Sequence, residues 1–261
     1  MQLARFTGKL AVVTGAAQGI GRATAQRIAE EGGRVVIVDR AAQAANATLA
    51  VLRDRGLDVS LVLADLSTWA GARHAFNQII AEQGVIDVLV NNVGGTRWIK
   101  PFIEYEPEEI QIELERSLWP TIWSCRAVLP HMVERRKGAV VNVGSNAVRG
   151  IYRVPYATAK GGVMSITTSL AVELAGTGVR VNCVAPGGTD VEHRPVPRNA
   201  DPLSDREIDW ANEMRTFVKH QMPMGRRGQV DEQAAAIAFF ASDDASFITG
   251  QILSVAGGAS V

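Results

Sequence analysis

The sequence predicts an α/β fold: one doubly wound parallel sheet of about seven strands with helices on both faces. Three observations predict it. Short β-branched runs are apolar throughout, alanine-rich stretches with helical spacing separate most of them, and a glycine-rich turn joins the first run to the first helix. Strands without polar alternation must be covered on both faces, which is how helices flank a parallel sheet. Right-handed crossovers then place a ligand beyond the carboxyl ends of the strands.

The first strand is KLAVVT, and TGAAQGIGR (14–22) turns it into a helix over 21–31. Gly15, Gly19 and Gly21 allow a tight turn and let the backbone approach a pyrophosphate, with Gln18 and Ile20 in the same turn. The second strand, GRVVIVD, ends in Asp39, 18 residues beyond Gly21 (39 − 21). An acid there can accept both ribose hydroxyls of an adenosine and repel a 2′-phosphate, which favours NAD over NADP. The competing reading of Asp39 is a strand-end carboxylate capping the next helix. Arg40 beside it is expected in solvent or over the adenine.

Helix 43–55, strand LDVSLVL, helix 67–83 and strand VIDVLVN follow, then a long helix over 108–135 and strand GAVVNV. A helix from 155 to 174 and strand GVRVNCVA come next. The segment 187–228, with HRPVPRNADP inside it, is rich in proline and charge and is expected to be a long substrate loop. QILSV supplies the last strand, so residues 1–261 read as a single domain.

Hydrophobic residues make up 47% of the chain, enough for one large core, while 27 basic and 27 acidic residues leave no overall field. Nucleic acid and membrane surfaces are therefore not expected partners; a small molecule is. Cys125 and Cys183 lie far apart outside any CxxC motif and read as buried thiols of a reducing compartment. No stretch resembles a signal peptide or a membrane span, so a cytoplasmic location is expected. His74, His131 and His220 lack metal-ligand spacing, and no metal is expected.

PYATAK (155–160) holds the chemistry. Proline suits a first helical turn, and a spacing of four puts Tyr156 and Lys160 on one helical face. A free tyrosine titrates near about 10, too high for a neutral-pH base, but a nearby ammonium favours the phenolate. Tyr-x-x-x-Lys also occurs by chance in many helices, so the order of the surrounding motifs decides.

That order resembles the short-chain dehydrogenase/reductase family over 9–258, which implies a Rossmann-type sheet. TGAAQGIG resembles the family's TGxxxGxG, and ADL (64–66) resembles the segment whose acid contacts adenine, pointing to Asp65 and Leu66. NNVG (91–94) resembles the NNAG after the fourth strand and points to Asn92 and Gly94; Asn182 with Pro186 and Gly187 resembles N-x-x-x-PG, with Thr189 just beyond. Ser145, Tyr156 and Lys160 fall on the family's catalytic positions. The resemblance implies that Tyr156 takes the substrate hydroxyl proton as hydride leaves for the nicotinamide. Lys160 is expected to tune the tyrosine and hold the nicotinamide ribose, and Ser145 to hold the substrate oxygen. Ser117 stands where the family often has a proton-relaying asparagine. The family's pairing of two long helices, here 107–135 and 155–174, implies a homotetramer.

Within the family, NNVGGTRWIKPF and RGIYRVPYATAKGG resemble bacterial dehydrogenases of aromatic-acid cis-dihydrodiols. The implied reaction is oxidation of 1,6-dihydroxycyclohexa-2,4-diene-1-carboxylate to a catechol with loss of CO2. Arg97, Arg149, Arg153, His193 and Arg194 are candidates to clamp its carboxylate, each with a solvated charged loop as the alternative. Competing readings are a reductase of another ketone, such as a 3-oxoacyl or sugar substrate, and a non-catalytic NAD-binding regulator. The complete Ser145, Tyr156 and Lys160 set speaks against the regulator.

Overall fold

Valine and isoleucine, stiff at χ1, dominate the runs that become strands, and the alanine-rich stretches between them close into helices. The computed structural model describes residues 4–191, 194–199 and 201–259. In chain order the elements are β1 (Leu10–Thr14), α1 (Gly19–Glu30), β2 (Arg34–Asp39), α2 (Ala42–Asp54), β3 (Val59–Leu63), α3 (Trp69–Gln83) and β4 (Val88–Asn91). Then come α4 (Pro107–Ser117), α5 (Trp119–Glu134), β5 (Gly138–Val143), α6 (Val154–Leu174), β6 (Val179–Pro186) and β7 (Thr189–Asp190). The chain continues through α7 (Asp205–His220), β8 (Gly228–Gln229), α8 (Val230–Ala241) and β9 (Ile252–Val255).

The seven expected strands form one seven-stranded sheet, β3-β2-β1-β4-β5-β6-β9, whose pairs are all parallel. Successive strand residues face opposite helix layers. Val13, Ile37, Val90 and Val141 pack with Ile28, Ile237 and Ala238 of α1 and α8. Val12, Val36, Leu89 and Val140 pack with Phe76, Ile79, Val128 and Met132 of α3 and α5. Strand order reverses between β1 and β4, and the crevice at their carboxyl ends is where such a sheet binds ligand.

Two expectations are corrected. The helix expected over 108–135 is two helices, α4 and α5, meeting at Leu118 (φ −115, ψ −54). Pro120 lies in the first turn of α5, and a proline there has no N–H for a continuous helix and clashes with the carbonyl four residues back. The segment 187–228 is not loop throughout. Its second half is α7, opened by a capping box in which Ser204 and Glu207 bond each other's backbone N–H. Pairing of β7 with β8 closes its base. Among the described residues no helix is long and apolar enough to cross a membrane.

Candidate active site

A cavity of about 500 Å3 lies over the carboxyl ends of the strands, running from the glycine turn to α7. At one end Gly15 (φ +63) and Gly19 (φ +58) take left-handed conformations that favour glycine. A Cβ on Gly21 would stand 2.4 Å from the Gly15 carbonyl oxygen, so only glycine lets α1 start this close to the turn. The Asn92 Nδ2 donates to the carbonyls of Thr14 (3.2 Å) and Gly15 (2.9 Å), fixing the turn to β4. No side chain caps α1 and no acid lies in its first turn, leaving its leading N–H groups beside the cavity that Gly19 and Ile20 line. That is the donor set a pyrophosphate requires.

Asp39 ends β2 at the edge of the cavity, and no side chain caps α2. Asp39 lines the cavity, and its two carboxylate oxygens accept the Ala17 and Ala41 N–H groups, each at 3.0 Å. Gln18 also lines the cavity, but its side-chain amide is bonded in both directions to the Val196 backbone at 3.1 Å, clipping the 187–228 segment to the glycine turn. Arg40 is exposed and pairs with Asp65 at 3.4 Å; Leu66 is buried beneath them. Burial alone would push Asp65 up, but its bonds from Ser67 and the charge of Arg40 hold it below the usual carboxylate range.

At the other end, β5 delivers Ser145, whose Oγ accepts the Ala147 N–H (3.0 Å) and which hydrogen-bonds Tyr156. Tyr156 lies in the first turn of α6, and Lys160 one turn later donates from a buried Nζ to the Val143 carbonyl at 2.8 Å. Burial raises the tyrosine pKa, but Lys160 first, then Arg198, the Ser145 bond and Arg153 bring it below its ordinary value. Burial likewise lowers Lys160, opposed by Tyr156. The arrangement is a hydroxyl held ready to lose its proton beside three cations. Gly94 passes so close that a Cβ there would lie 2.9 Å from the lysine Nζ. Pro186, Gly187 and Thr189 complete the wall, with Thr189 Oγ1 donating to the Gly187 carbonyl at 3.1 Å.

Ser117 lies near the lysine: a Cβ on Gly94 would stand 2.9 Å from the Lys160 Nζ and 3.5 Å from the Ser117 Cα. It is fully buried at the end of α4, is not among the cavity-lining residues, and accepts the Gly95 N–H at 3.2 Å, bracing the 94–95 backbone against Lys160. The Asn182 side chain donates to the Ile248 carbonyl (2.8 Å) and accepts the Gln251 N–H (3.0 Å) next to β9. The short path from Ser145 to Tyr156 is held by Tyr152 in a left-handed conformation (φ +62). The Tyr152 carbonyl accepts from the Lys100 N–H (2.9 Å) and the Tyr105 hydroxyl (3.2 Å), and its own hydroxyl donates to Glu213 of α7.

The proposed carboxylate clamps separate. Arg149, Arg153 and Arg194 line the cavity. Arg97 does not: it pairs with Asp201 at 3.0 Å and stacks over Trp98. His193 lies outside the described residues. The sequence reading missed Arg116, Arg198 and Arg227, all on the cavity wall. Arg198 sits in the same proline- and charge-rich stretch as Arg194, so its signal was present; Arg227 is paired with Asp190 at 2.6 Å. It also missed Glu113, fully buried in α4, which gathers the Arg97 and Trp98 N–H groups and the Thr96 hydroxyl on one carboxylate oxygen. Burial pushes that carboxyl up despite those bonds. An acid on a polar helix gives no sequence sign that it will face inward. Burial also pushes the Cys125 and Cys183 thiols up, to about 12 and about 11, as inert core groups.

The chain compares with known proteins in the same terms. The family model described as short chain dehydrogenase matches residues 9–200. A 1,6-dihydroxycyclohexa-2,4-diene-1-carboxylate dehydrogenase of Acinetobacter baylyi is 50% identical, over 97% of this chain and 97% of the relative. One of the same name from Pseudomonas putida is 48% identical, over 97% of this chain and 93% of the relative. Among solved structures, a gluconate 5-dehydrogenase from Burkholderia cenocepacia, in complex with NADP and tartrate, superposes with a TM-score of 0.85 at 32% identity, covering 98% of this chain and 97% of that one. A glycine turn opening α1, a tyrosine one helical turn from a buried lysine, and a family match across most of the sheet have one reading: the chain belongs to the short-chain dehydrogenase family, whose members use a nicotinamide cofactor, and is an oxidoreductase acting on a CH–OH donor.

Proposed function

We propose that this enzyme oxidises the cis-dihydrodiol of an aromatic acid, 1,6-dihydroxycyclohexa-2,4-diene-1-carboxylate, to a catechol with loss of CO2, using NAD. The observation that carries the reading is the charge beside Tyr156. Arg153, Arg194 and Arg198 line the cavity around the base without a carboxylate partner among the described residues, a setting that suits an anionic substrate. Relatives of that name at about half identity support the same substrate.

Bound nicotinamide supplies the acceptor for a hydride. The glycine turn would hold its pyrophosphate, Asp39 its adenosine ribose, and Lys160 the ribose next to the ring. Ser145 donates to the carbinol oxygen of the substrate, and Tyr156 removes the hydroxyl proton as the carbon loses hydride. The ring carbon becomes a ketone next to the carbon bearing the carboxylate. This β-keto acid loses CO2, and the resulting enol is the aromatic catechol. Met214, Phe217, Val218 and Met222 of and beside α7 offer an apolar wall for the ring.

Asp39 favours NAD because a 2′-phosphate beside its carboxylate would place like charges together. We also infer one domain over 1–261, a cytoplasmic enzyme and a homotetramer, the last supported by the half-exposed Trp119 stacked on Trp123 and by exposed Val172 on α6. The deciding experiment incubates the purified protein with NAD or NADP and aromatic cis-diols with and without a carboxylate. NADH and catechol should form with the acid diol. No turnover of that diol with either cofactor sinks the reading.

A further inference from the structure

Arg198 comes from the 187–228 segment, and Arg153 from the turn before α6, so they reach the cavity from two walls. Arg198 lies against the Gly95 backbone, with Nε 3.2 Å from where a Cβ of that glycine would stand. The Arg153 Nε is buried and has no hydrogen-bond partner among the described residues. The acids nearby are engaged elsewhere: Asp190 with Arg227 at 2.6 Å, Asp201 with Arg97 at 3.0 Å, and Glu213 with the Tyr152 hydroxyl. Among the described residues, the phenols of Tyr156 and Tyr105 favour the charge on Arg153, and that of Tyr156 favours it on Arg194. Burial and mutual repulsion with Arg198 and Arg227 disfavour the charge on both Arg153 and Arg194. A cluster of this kind gains from an anion that bridges it.

The substrate proposed above fixes where that anion must lie, and this inference rests on that reading. Its carboxylate is attached to the ring carbon next to the reacting carbinol. With the carbinol at Tyr156, the carboxylate falls among the charges that surround the tyrosine hydroxyl. Arg198 and Arg153 are among these, and both line the cavity. Lys160 is committed to the Val143 carbonyl on the inner side, and Arg227 to Asp190. We propose that Arg198, with Arg153 opposite it, grips the substrate carboxylate and is the residue that selects acid diols over neutral ones. Arg198 works at the exposed mouth of the cavity, where a planar guanidinium can meet a carboxylate with two parallel bonds. Because it lies in an exposed segment, its replacement leaves the core untouched.

The test compares kcat/KM for the acid diol with that for a cis-diol of the same ring lacking the carboxylate, in wild type, Arg198→Gln, Arg198→Lys and Arg153→Gln. In Arg198→Gln the acid-over-neutral ratio should fall by at least about tenfold, with KM for the acid diol carrying most of the loss. Arg198→Lys should recover part of the ratio, since it keeps charge without the fork. Benzoate binding to the NAD-loaded protein, followed by calorimetry, should weaken in parallel. An unchanged ratio together with unchanged benzoate affinity overturns the clamp while leaving the substrate reading standing. If wild type ignores the acid diol yet Arg198→Gln loses benzoate, the substrate reading falls and the anion clamp survives.

Discussion

The two ends of the cavity are built by different physics. At the cofactor end, Gly15, Gly19 and Gly21 act through backbone conformation, and Asn92 and Asp39 bond that backbone directly. Each contact joins strand ends that the parallel sheet already places side by side. At the substrate end, Tyr156, Arg153, Arg194 and Arg198 act through side-chain charge, and they come from segments joined only by tertiary contacts such as the Tyr152–Glu213 bond. The first end is specified by which residues can adopt the turn. The second depends on where charges come to lie, and a small change in one segment can redirect it.

Mutations should reveal that difference, beginning with the largest effect. Tyr156→Phe removes the proton acceptor but keeps the packed ring, so kcat should fall by about 10² or more while NAD affinity, read by fluorescence titration, hardly moves. Retention of most of kcat, with hydride transfer shown to limit the rate, would return Tyr156 to an ordinary helix position. Lys160→Met should cross the divide and damage both ends. It removes the cation that most lowers the tyrosine, so the acid limb of the kcat/KM profile, where activity is lost as pH falls and the phenolate is protonated, should move to higher pH. A limb that stays in place assigns the lowered tyrosine to Arg198 instead.

Asp39→Ala tests the cofactor end alone. The preference for NAD over NADP should shrink by about tenfold or more, the equivalent of about 1.4 kcal/mol, measured as the ratio of kcat/KM values. Because Asp39 also accepts the Ala17 and Ala41 N–H groups, NAD affinity itself should weaken, whereas removing a carboxylate that only repelled NADP would leave it intact. At Glu113 the expected effect is on stability and not on turnover. Glu113→Ala leaves the Arg97 and Trp98 N–H groups without their acceptor and should cost about 1–3 kcal/mol in urea unfolding. Its pKa is raised in the folded state above the ordinary 4.5, so its protonated form favours folding. That contribution is present at low pH and is lost as pH rises through the raised value. Glu113→Gln should abolish this dependence, and a stability profile unchanged by the substitution would show that Glu113 folds ionised.

The strands were legible because a strand buried on both faces needs an unbroken apolar run, and the seven runs become the seven strands of the sheet. The glycine turn and PYATAK were legible because each is local: a φ requirement in one case, one turn of helix in the other. The break at Leu118 was missed although Pro120 was in plain view, since a proline is also tolerated in a first turn and the sequence pattern ran on through it. The capping box of Ser204 and Glu207 was likewise readable, but the prolines upstream argued for loop. Ser117 was assigned by position in a motif, and its partner turned out to be the Gly95 N–H, a contact decided by how α4 packs on the loop after β4.

Sequence alone determined what depends on covalent geometry and short-range spacing: the doubly wound sheet, the phosphate-ready turn and the tyrosine–lysine pair. Only the tertiary structure decided which of many arginines face the base, because a charged side chain on a loop goes wherever an acid, an aromatic ring or a cavity lies within its reach. Arg97 met Asp201 and Trp98 and turned away; Arg198 met no acid among the described residues and stayed at the cavity mouth beside Tyr156.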